Sequence, residues 1–512
     1  MTNRPGIRNV LCAGTVVLGI ALGISAARAD GNLNNVNHII VVMQENHSFD
    51  NYFGHLPYVP TGPYHVPTGP GTKRNGCPAA DSTCVDGLNC KLKRGVLVCR
   101  NHNPSNLRGG SIKAFHETRY CTGPDLEHGW VGSHQEGNFK RPNDMLRSSP
   151  NNGFVKVNAE TQQPDQVTAH DTMGYYTEDD LPFYYDIAQT FAISDRYFAA
   201  VIGQTFPNRA YFMAGTSFGH LTTNELLTPG GYKPITGSIF DLLDAAGISW
   251  ANYRSDLAYS LMFEPVRPEQ KPIAQFASDA AAGTLAKVVF VDPSALHSQT
   301  INGTVYQTDE HPPNNIRAGQ YFVSQIIGAL RNSQSWNDSL LIFTYDEHGG
   351  FYDHVAPPPA PQGGASTPDG IAPGLCADDS NPPASHAPGG GVHCAESMTI
   401  AQDLCPNFDP NAPYPSDCAT FNQLGFRLPF VAVSPFSKPH YVSHVVASHP
   451  SILALIEKRF SLPSLTARDA NAGTLEDLFD FDTSPSLNAA VGTAPLPMQP
   501  PAQSPGDPGC PF

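Results

Sequence analysis

Two short apolar runs in this sequence stop abruptly at clusters of oxygen donors. Leu340 to Tyr345 is apolar and β-branched and runs into Asp346-Glu347-His348-Gly349-Gly350. His38 to Met43 has the same make-up and runs into Gln44-Glu45-Asn46-His47. Such runs fit strands buried on both faces, as found in parallel sheets. Carboxylates at the end of a buried strand are costly unless they are paired or hold a metal. In open α/β sheets that end of the strand is also where ligands bind. Lying side by side, the two strands would set Glu45, Asn46, Asp346 and Glu347 around one divalent cation. Hard oxygen donors suit Ca²⁺, Mg²⁺ or Mn²⁺, and nearby histidines admit Zn²⁺, so the metal stays open among these four. The plain alternative is a pair of strands capped by solvated acidic turns.

A third stretch supplies a nucleophile. In Gly203-Gln-Thr205-Phe-Pro207-Asn-Arg209-Ala-Tyr-Phe-Met-Ala-Gly215 the proline suits the first turn of a helix and the last glycine its end. Thr205 then sits at or next to the N-cap, and capping alone would explain it. A helix start also turns free N–H groups and a positive dipole end towards phosphate. A hydroxyl there, beside a cation, can lose its proton and attack phosphorus. Arg209, one turn on, either reaches that phosphate or only stabilises the helix. Three histidines stand near acids: His128 in Asp125-Leu-Glu-His128, His311 in Asp309-Glu-His311-Pro-Pro, and His354 after Asp353.

The elements that must position these groups alternate between helix and strand. Thr177 and Asp180 suit a helix start, followed by a strand over Phe191 to Phe198. A helix from Ser238 to Gly247 precedes strands over Ile248 to Tyr253 and Ala286 to Asp292. A helix over Ile316 to Arg331 leads into the organising strand. Phe430 to Ser434 is a further strand and Ser451 to Phe460 a helix. The pattern predicts a three-layer α/β/α fold with a mostly parallel central sheet. One catalytic domain over 30–490 is expected, with Pro-, Gly- and Cys-rich insertions at about 57–111 and 357–422 and an irregular tail over 491–512.

Residues 1–29 have the basic start, short apolar core and Ala27-Arg28-Ala29 end of a signal peptide. Its removal takes Arg4, Arg8 and Arg28 and makes a net charge of −16 more negative. A chain this acidic is a poor general nucleic-acid binder. No other segment is apolar and long enough to span a bilayer. Of eleven cysteines, Cys12 lies in the leader. The others fall into an early group (Cys77, Cys84, Cys90, Cys99, Cys121) and a late one (Cys376, Cys394, Cys405, Cys418, Cys510). In an exported chain they imply disulfides, with at least one bridge between the groups if all pair. Location is expected to be secreted or periplasmic.

Several of these segments together resemble the phosphoesterase family, which contains non-specific phospholipases C and bacterial acid phosphatase A. The segments are Gln44 to Gly54, Met173-Gly-Tyr-Tyr176, Asp195-Arg-Tyr-Phe198, Thr205 to Arg209, Asp309 to Pro313 and Thr344 to Val355, in one order. The resemblance implies an alkaline-phosphatase-like fold and a metal held by Glu45, Asn46, Asp346 and Glu347. It implies Thr205 as the nucleophile and His128, His311 and His354 as the groups that hold phosphate and protonate the leaving group. Asp353 would orient His354 or contact substrate, and Arg209 would contact substrate. The implied substrate is a phospholipid, with peripheral contact at a membrane surface, or a small phosphate monoester. A non-catalytic secreted binding protein on the same scaffold is the alternative of another kind.

Overall fold

The computed structural model describes residues 32–494, apart from 69–75, 95, 106–109, 122–124, 139–149, 162–166, 219–221, 224–235, 264, 266, 297–298, 302–303, 362–420, 422 and 483–484. The expected signal peptide, nearly all of the second insertion, the last residues of the tail and the late cysteines lie outside these residues.

In chain order, the elements that bear on the site begin with strand β1 (His38–Gln44), helix α1 (Phe49–Phe53) and hairpins β2 (Cys90–Lys93)–β3 (Val96–Cys99) and β4 (His102–Ser105)–β5 (Gly110–Lys113). Helices α2 (Trp130–Gly137) and α3 (Pro182–Thr190), strand β6 (Ala192–Ser194) and helices α4 (Thr205–Ala214) and α5 (Ile239–Ala246) follow. Next come β7 (Trp250–Arg254), β8 (Gln270–Pro272), α6 (Phe276–Ala282), β9 (Val288–Asp292), α7 (Ile316–Arg331), β10 (Ser339–Tyr345), β11 (Phe430–Val433), β12 (Val442–Ser443) and α8 (His449–Phe460).

Eight strands form the central sheet in the order β8-β7-β9-β1-β10-β11-β6-β12. Only β11 runs antiparallel to its neighbours, β10 and β6. The two strands that end in acids are thus adjacent at the middle of a mostly parallel sheet. Every residue of β10 is buried, and of β1 all but His38, as expected of strands covered on both faces.

The register proves the covering. Side chains alternate between faces, and paired residues share one. Val41 pairs with both Phe290 and Ile342, while Val42 pairs with Phe343. Phe290 and Phe343 therefore point to opposite faces. Phe212 of α4 packs on Phe290 at 5.6 Å between ring centroids, and Tyr184 of α3 packs on Phe343 at 4.7 Å. Helices lie on both sides, and the architecture is the expected three-layer α/β/α.

Local chemistry corrects one helix start. Thr177 and Asp180 do bond, with Thr177 N–H and Oγ1 both donating to Asp180 Oδ2 at 2.9 and 2.7 Å. They close a turn, not the first turn of the helix. α3 begins later because Pro182, with its fixed φ and no N–H, takes its first position. The early insertion, expected to be irregular, contains the two hairpins. Disulfides join Cys77 to Cys84 and Cys90 to Cys99. Cys121 is also disulfide-bonded.

Candidate active site

The β1–β10 register brings Gln44 level with Tyr345. Just past the two strand ends come Glu45-Asn46 and Asp346-Glu347, held together by the Asp346 amide donating to Gln44 O at 3.2 Å and Asn46 Nδ2 donating to Glu347 Oε1 at 2.8 Å. Period-two alternation sends Glu45 with Val41, Asp346 with Ile342 and Asp292 with Phe290, all to the α4 side of the sheet. Arg209 of α4 meets all three. Its Nε donates to Asp346 Oδ2 at 3.0 Å, its Nη2 to Glu45 Oε1 at 3.4 Å, and its Nη1 lies 3.8 Å from Asp292 Oδ1. The guanidinium is fully buried and lies 3.6 Å over the Tyr259 ring, whose hydroxyl donates to Glu45. Arg209 was expected to face substrate. Instead it is the internal counter-charge of three buried carboxylates.

Glu347 divides its two oxygens. Oε1 accepts from Asn46 Nδ2 at 2.8 Å and lies 3.9 Å from His128 Nε2. Oε2 accepts from the Gly349 amide at 2.7 Å and faces His348 Nδ1 at 3.3 Å. His348 in turn donates to Glu136 at 2.8 Å. Burial works against ionisation of Glu347, but His128, His348 and the Gly349 amide outweigh it and hold its pKa at about 2. Burial pushes Asp346 well up, against the pull of Arg209. Gly349, at φ +62°, gives the chain its close approach. A Cβ there would sit 2.5 Å from Asn46 Oδ1.

Two histidines flank this cluster. His128 and His311 lie with ring centroids 5.8 Å apart, and Asp125 is 3.6 Å from one and 3.8 Å from the other. Burial disfavours the charged form of both. Glu347 and Asp125 reverse that for His128, pushing it up to about 10, and Asp125 and Glu45 raise His311. The loop before His311 is tied to β1 by a hydrogen bond from the Glu45 amide to Asp309 O at 2.8 Å.

Thr205 is the first residue of α4, with Gln204 as N-cap, and is 7% exposed. Four residues on, Arg209 shares its face of the helix and meets Asp346 and Glu45. The Gln204 side chain comes within 3.4 Å of where a Gly129 Cβ would be, next to His128. The helix start thus sits between the acid cluster and the His128 loop. Among the described residues nothing hydrogen-bonds Thr205 Oγ1.

His354 stands apart from the other two histidines. Its Nδ1 donates to Asp50 Oδ2 at 2.7 Å and its Nε2 faces Asp86 Oδ1 at 3.3 Å. Asp353 does not orient it. Asp353 is buried and accepts from Arg427 Nε at 2.9 Å, while Arg427 Nη2 also donates to Asp50 at 3.0 Å. Asp50 is therefore the residue that orients His354, and Asp353 is a partner of Arg427. This second cluster is a self-neutralised network joining the β10 loop, α1 and the early insertion.

The donor set around Asn46 fits a divalent cation. Asn46 Oδ1 is buried and has no hydrogen-bond partner, an unusual cost for an amide oxygen in a dry site. Glu347 bonds the same amide through Asn46 Nδ2 at 2.8 Å, and Glu45 and Asp346 stand next to these two in the sequence on the α4 side, a set of hard oxygen donors.

A buried acid cluster at the carboxyl ends of central parallel strands, beside a helix-start hydroxyl and two histidines, defines a class of α/β hydrolases acting on anionic esters. The family model that matches residues 36–463 is that of the Phosphoesterase family, and the chain belongs to it. It is 30% identical over 471 residues to non-specific phospholipase C4 of Arabidopsis thaliana, covering 88% of this chain and 72% of the relative. It is 28% identical over 505 residues to phospholipase C B of Mycobacterium tuberculosis, covering 90% and 81%. Among solved structures, human ectonucleotide pyrophosphatase/phosphodiesterase 5 overlaps 58% of this chain and 94% of its own, at 10% identity and a TM-score of 0.31. The protein is an enzyme that hydrolyses phosphate esters.

Proposed function

We propose that this phosphoesterase is an exported phospholipase C, cleaving the bond between diacylglycerol and the phosphorylated headgroup. The observation that supports the reading is that Glu45, Asn46, Asp346 and Glu347 follow the adjacent ends of two central strands, with Arg209 of α4 bonded to Glu45 and Asp346 and Asn46 bonded to Glu347. The relatives named as phospholipases C support the substrate class, and the leader-like 1–29 and the disulfides support export to the periplasm or medium.

Glu45, Asn46, Asp346 and Glu347 would hold one divalent metal ion, which when bound would supply positive charge for the phosphoryl oxygens and lower the pKa of a neighbouring hydroxyl. Arg209 keeps Glu45, Asp346 and Asp292 from repelling one another. The Thr205 amide at the start of α4 binds a phosphoryl oxygen, since Pro207 has no N–H and the Phe206 N–H donates to Thr223 Oγ1 at 3.5 Å. Thr205 Oγ1, its proton lost to solvent, attacks phosphorus as the alkoxide and is regenerated as such in the second step, and the bond from phosphorus to the glycerol oxygen breaks. His128 or His311, both favoured in the protonated form, gives a proton to that oxygen. Water then attacks the phosphothreonine, returns a proton to the histidine and releases the phosphorylated headgroup.

The test is Thr205→Ala assayed beside the wild type on phosphatidylcholine and on an aryl phosphate. Turnover should vanish in the variant while its unfolding transition stays in place. Substantial residual turnover would exclude Thr205 as nucleophile. Wild-type activity confined to the aryl phosphate would make the chain a monoester phosphatase.

A further inference from the structure

The chain as a whole is strongly acidic, yet one surface is not. Between Asp86 and Glu117 there is no acid, while Lys91, Lys93, Arg94, Arg100, Arg108 and Lys113 all fall there. Lys91, Leu92, Lys93 and Arg94 form the exposed end of β2 and its turn, and Arg100 and Lys113 are exposed close by on paired segments. None of Lys91, Lys93, Arg94, Arg100 and Lys113 has an ion-pair partner among the described residues. Leu92, in the middle of the basic run, is 72% exposed, the most exposed large apolar side chain between residues 32 and 494 among those described. A like-charged cluster around a bare leucine repels itself and wastes apolar area in water, so it is explained by an occupant that is both anionic and apolar.

The hairpin is built to carry load. Cys90 and Cys99 staple its base, opposite each other in the ladder. Both are buried in a small core with Leu88, Phe154, Ile202, Tyr352 and Phe426. Phe426 packs against His348 with ring centroids 4.4 Å apart, next to Glu347, and Ile202 lies three residues before Thr205. The base of the hairpin is thus fixed to the segments that flank the acid cluster and the start of α4, on the edge of the sheet where β1 and β10 end.

We propose that the β2–β3 hairpin docks the enzyme on an anionic lipid bilayer, with Lys91, Lys93 and Arg94 against headgroups and Leu92 entering the interface. Charge complementarity selects an anionic surface, and the leucine selects a bilayer over a soluble polyanion. Docking through this hairpin would hold the enzyme at a surface that contains phosphate diesters. The substrate part of that statement rests on the phospholipase reading; the docking surface does not.

The experiment is co-sedimentation of the full chain with vesicles of phosphatidylcholine alone and of phosphatidylcholine mixed with phosphatidylglycerol. Each basic side chain near an anionic surface changes partitioning about fivefold. The triple variant Lys91→Gln/Lys93→Gln/Arg94→Gln should therefore bind mixed vesicles about a hundredfold more weakly. Leu92→Ser should bind about tenfold more weakly, from the lost apolar burial. Wild-type binding should fall as salt rises from about 0.1 to 1 M and the screening length shrinks from about 10 to about 3 Å. Turnover of a soluble, short diester should be unchanged in both variants. Equal wild-type binding to neutral and anionic vesicles, or wild-type-like binding by the triple variant, overturns the proposal. So does strong retention on a sulfated polysaccharide that is indifferent to Leu92→Ser, with no vesicle binding. A chain that binds mixed vesicles but hydrolyses only monoesters would sink the proposed substrate and leave the docking surface standing.

Discussion

Gly319 lies inside α7, where alanine ordinarily stabilises a helix by about 0.5–1 kcal/mol. Here the reverse is expected. A Cβ at Gly319 would sit 2.6 Å from Glu310 Cδ and closer still to its Cγ and Oε1. Glu310 has nowhere to retreat, because its carboxylate is fully buried and fully engaged. It accepts from Tyr52 Oη at 2.5 Å, Tyr345 Oη at 2.6 Å, Gln44 Nε2 at 3.1 Å and the Tyr184 hydroxyl. Burial lifts its pKa to about 7, so at pH 8 it is mostly ionised. A hydrogen bond to a charged group contributes about 1.5–3 kcal/mol. Losing two of the four costs about 3–6 kcal/mol, which exceeds the helix gain. Gly319→Ala should lose about 2–5 kcal/mol in denaturant unfolding at pH 8. Gly328→Ala is the control, since it lies in the same helix with nothing within 4 Å of its would-be Cβ, and should gain up to about 1 kcal/mol. Activity should fall in the first variant as well, because Glu310 holds a left-handed φ of +73° directly before His311. A Gly319→Ala protein as stable as the wild type would refute the reasoning.

Arg209→Met should destabilise the fold by about 3–5 kcal/mol in chemical unfolding, because it strands buried carboxylates without their counter-charge; unchanged stability would mean Glu45, Asp346 and Asp292 are not ionised together. Dialysis against a chelator should abolish turnover, and titrating Ca²⁺, Mg²⁺, Mn²⁺ and Zn²⁺ back should restore it with one ion per chain by elemental analysis; full activity in metal-free protein would remove the cation from the site. His354 is pushed from its usual 6.5 to about 10, burial opposing and Asp50 and Asp86 prevailing. Asp353 and Arg427 also belong to the network that holds Asp50. Because the folded chain holds that proton more tightly, this contribution to stability is complete below about pH 6.5 and is lost as pH rises towards about 10. The midpoint of thermal unfolding should fall over that window in the wild type and fall less in His354→Gln; parallel slopes would show that His354 keeps an ordinary pKa.

The sheet was legible because burial on both faces leaves a strong mark. Ile39 to Met43 and Leu340 to Tyr345 contain almost nothing polar, and both proved to be central strands. Their adjacency was guessed from shared grammar, and the register makes it a fact. What stayed hidden was polar chemistry between distant segments. Nothing local distinguishes His354, which follows an aspartate, from a histidine oriented by that aspartate. The residue that orients it, Asp50, lies 304 positions away. Arg209 stays open in the sequence for the same reason, since a charge one turn into a phosphate-facing helix can point either way along the helix face. Asp292 shows where the reading stopped short. It ends the expected strand Ala286 to Asp292 in the same manner as Asp346 follows its own strand. Applied a third time, the rule that acids at the ends of buried strands must be paired would have set Asp292 in the cluster. Three carboxylates converging on the α4 side then require a cation of the protein's own, and Arg209, the only basic residue of that helix, is the one group placed to supply it.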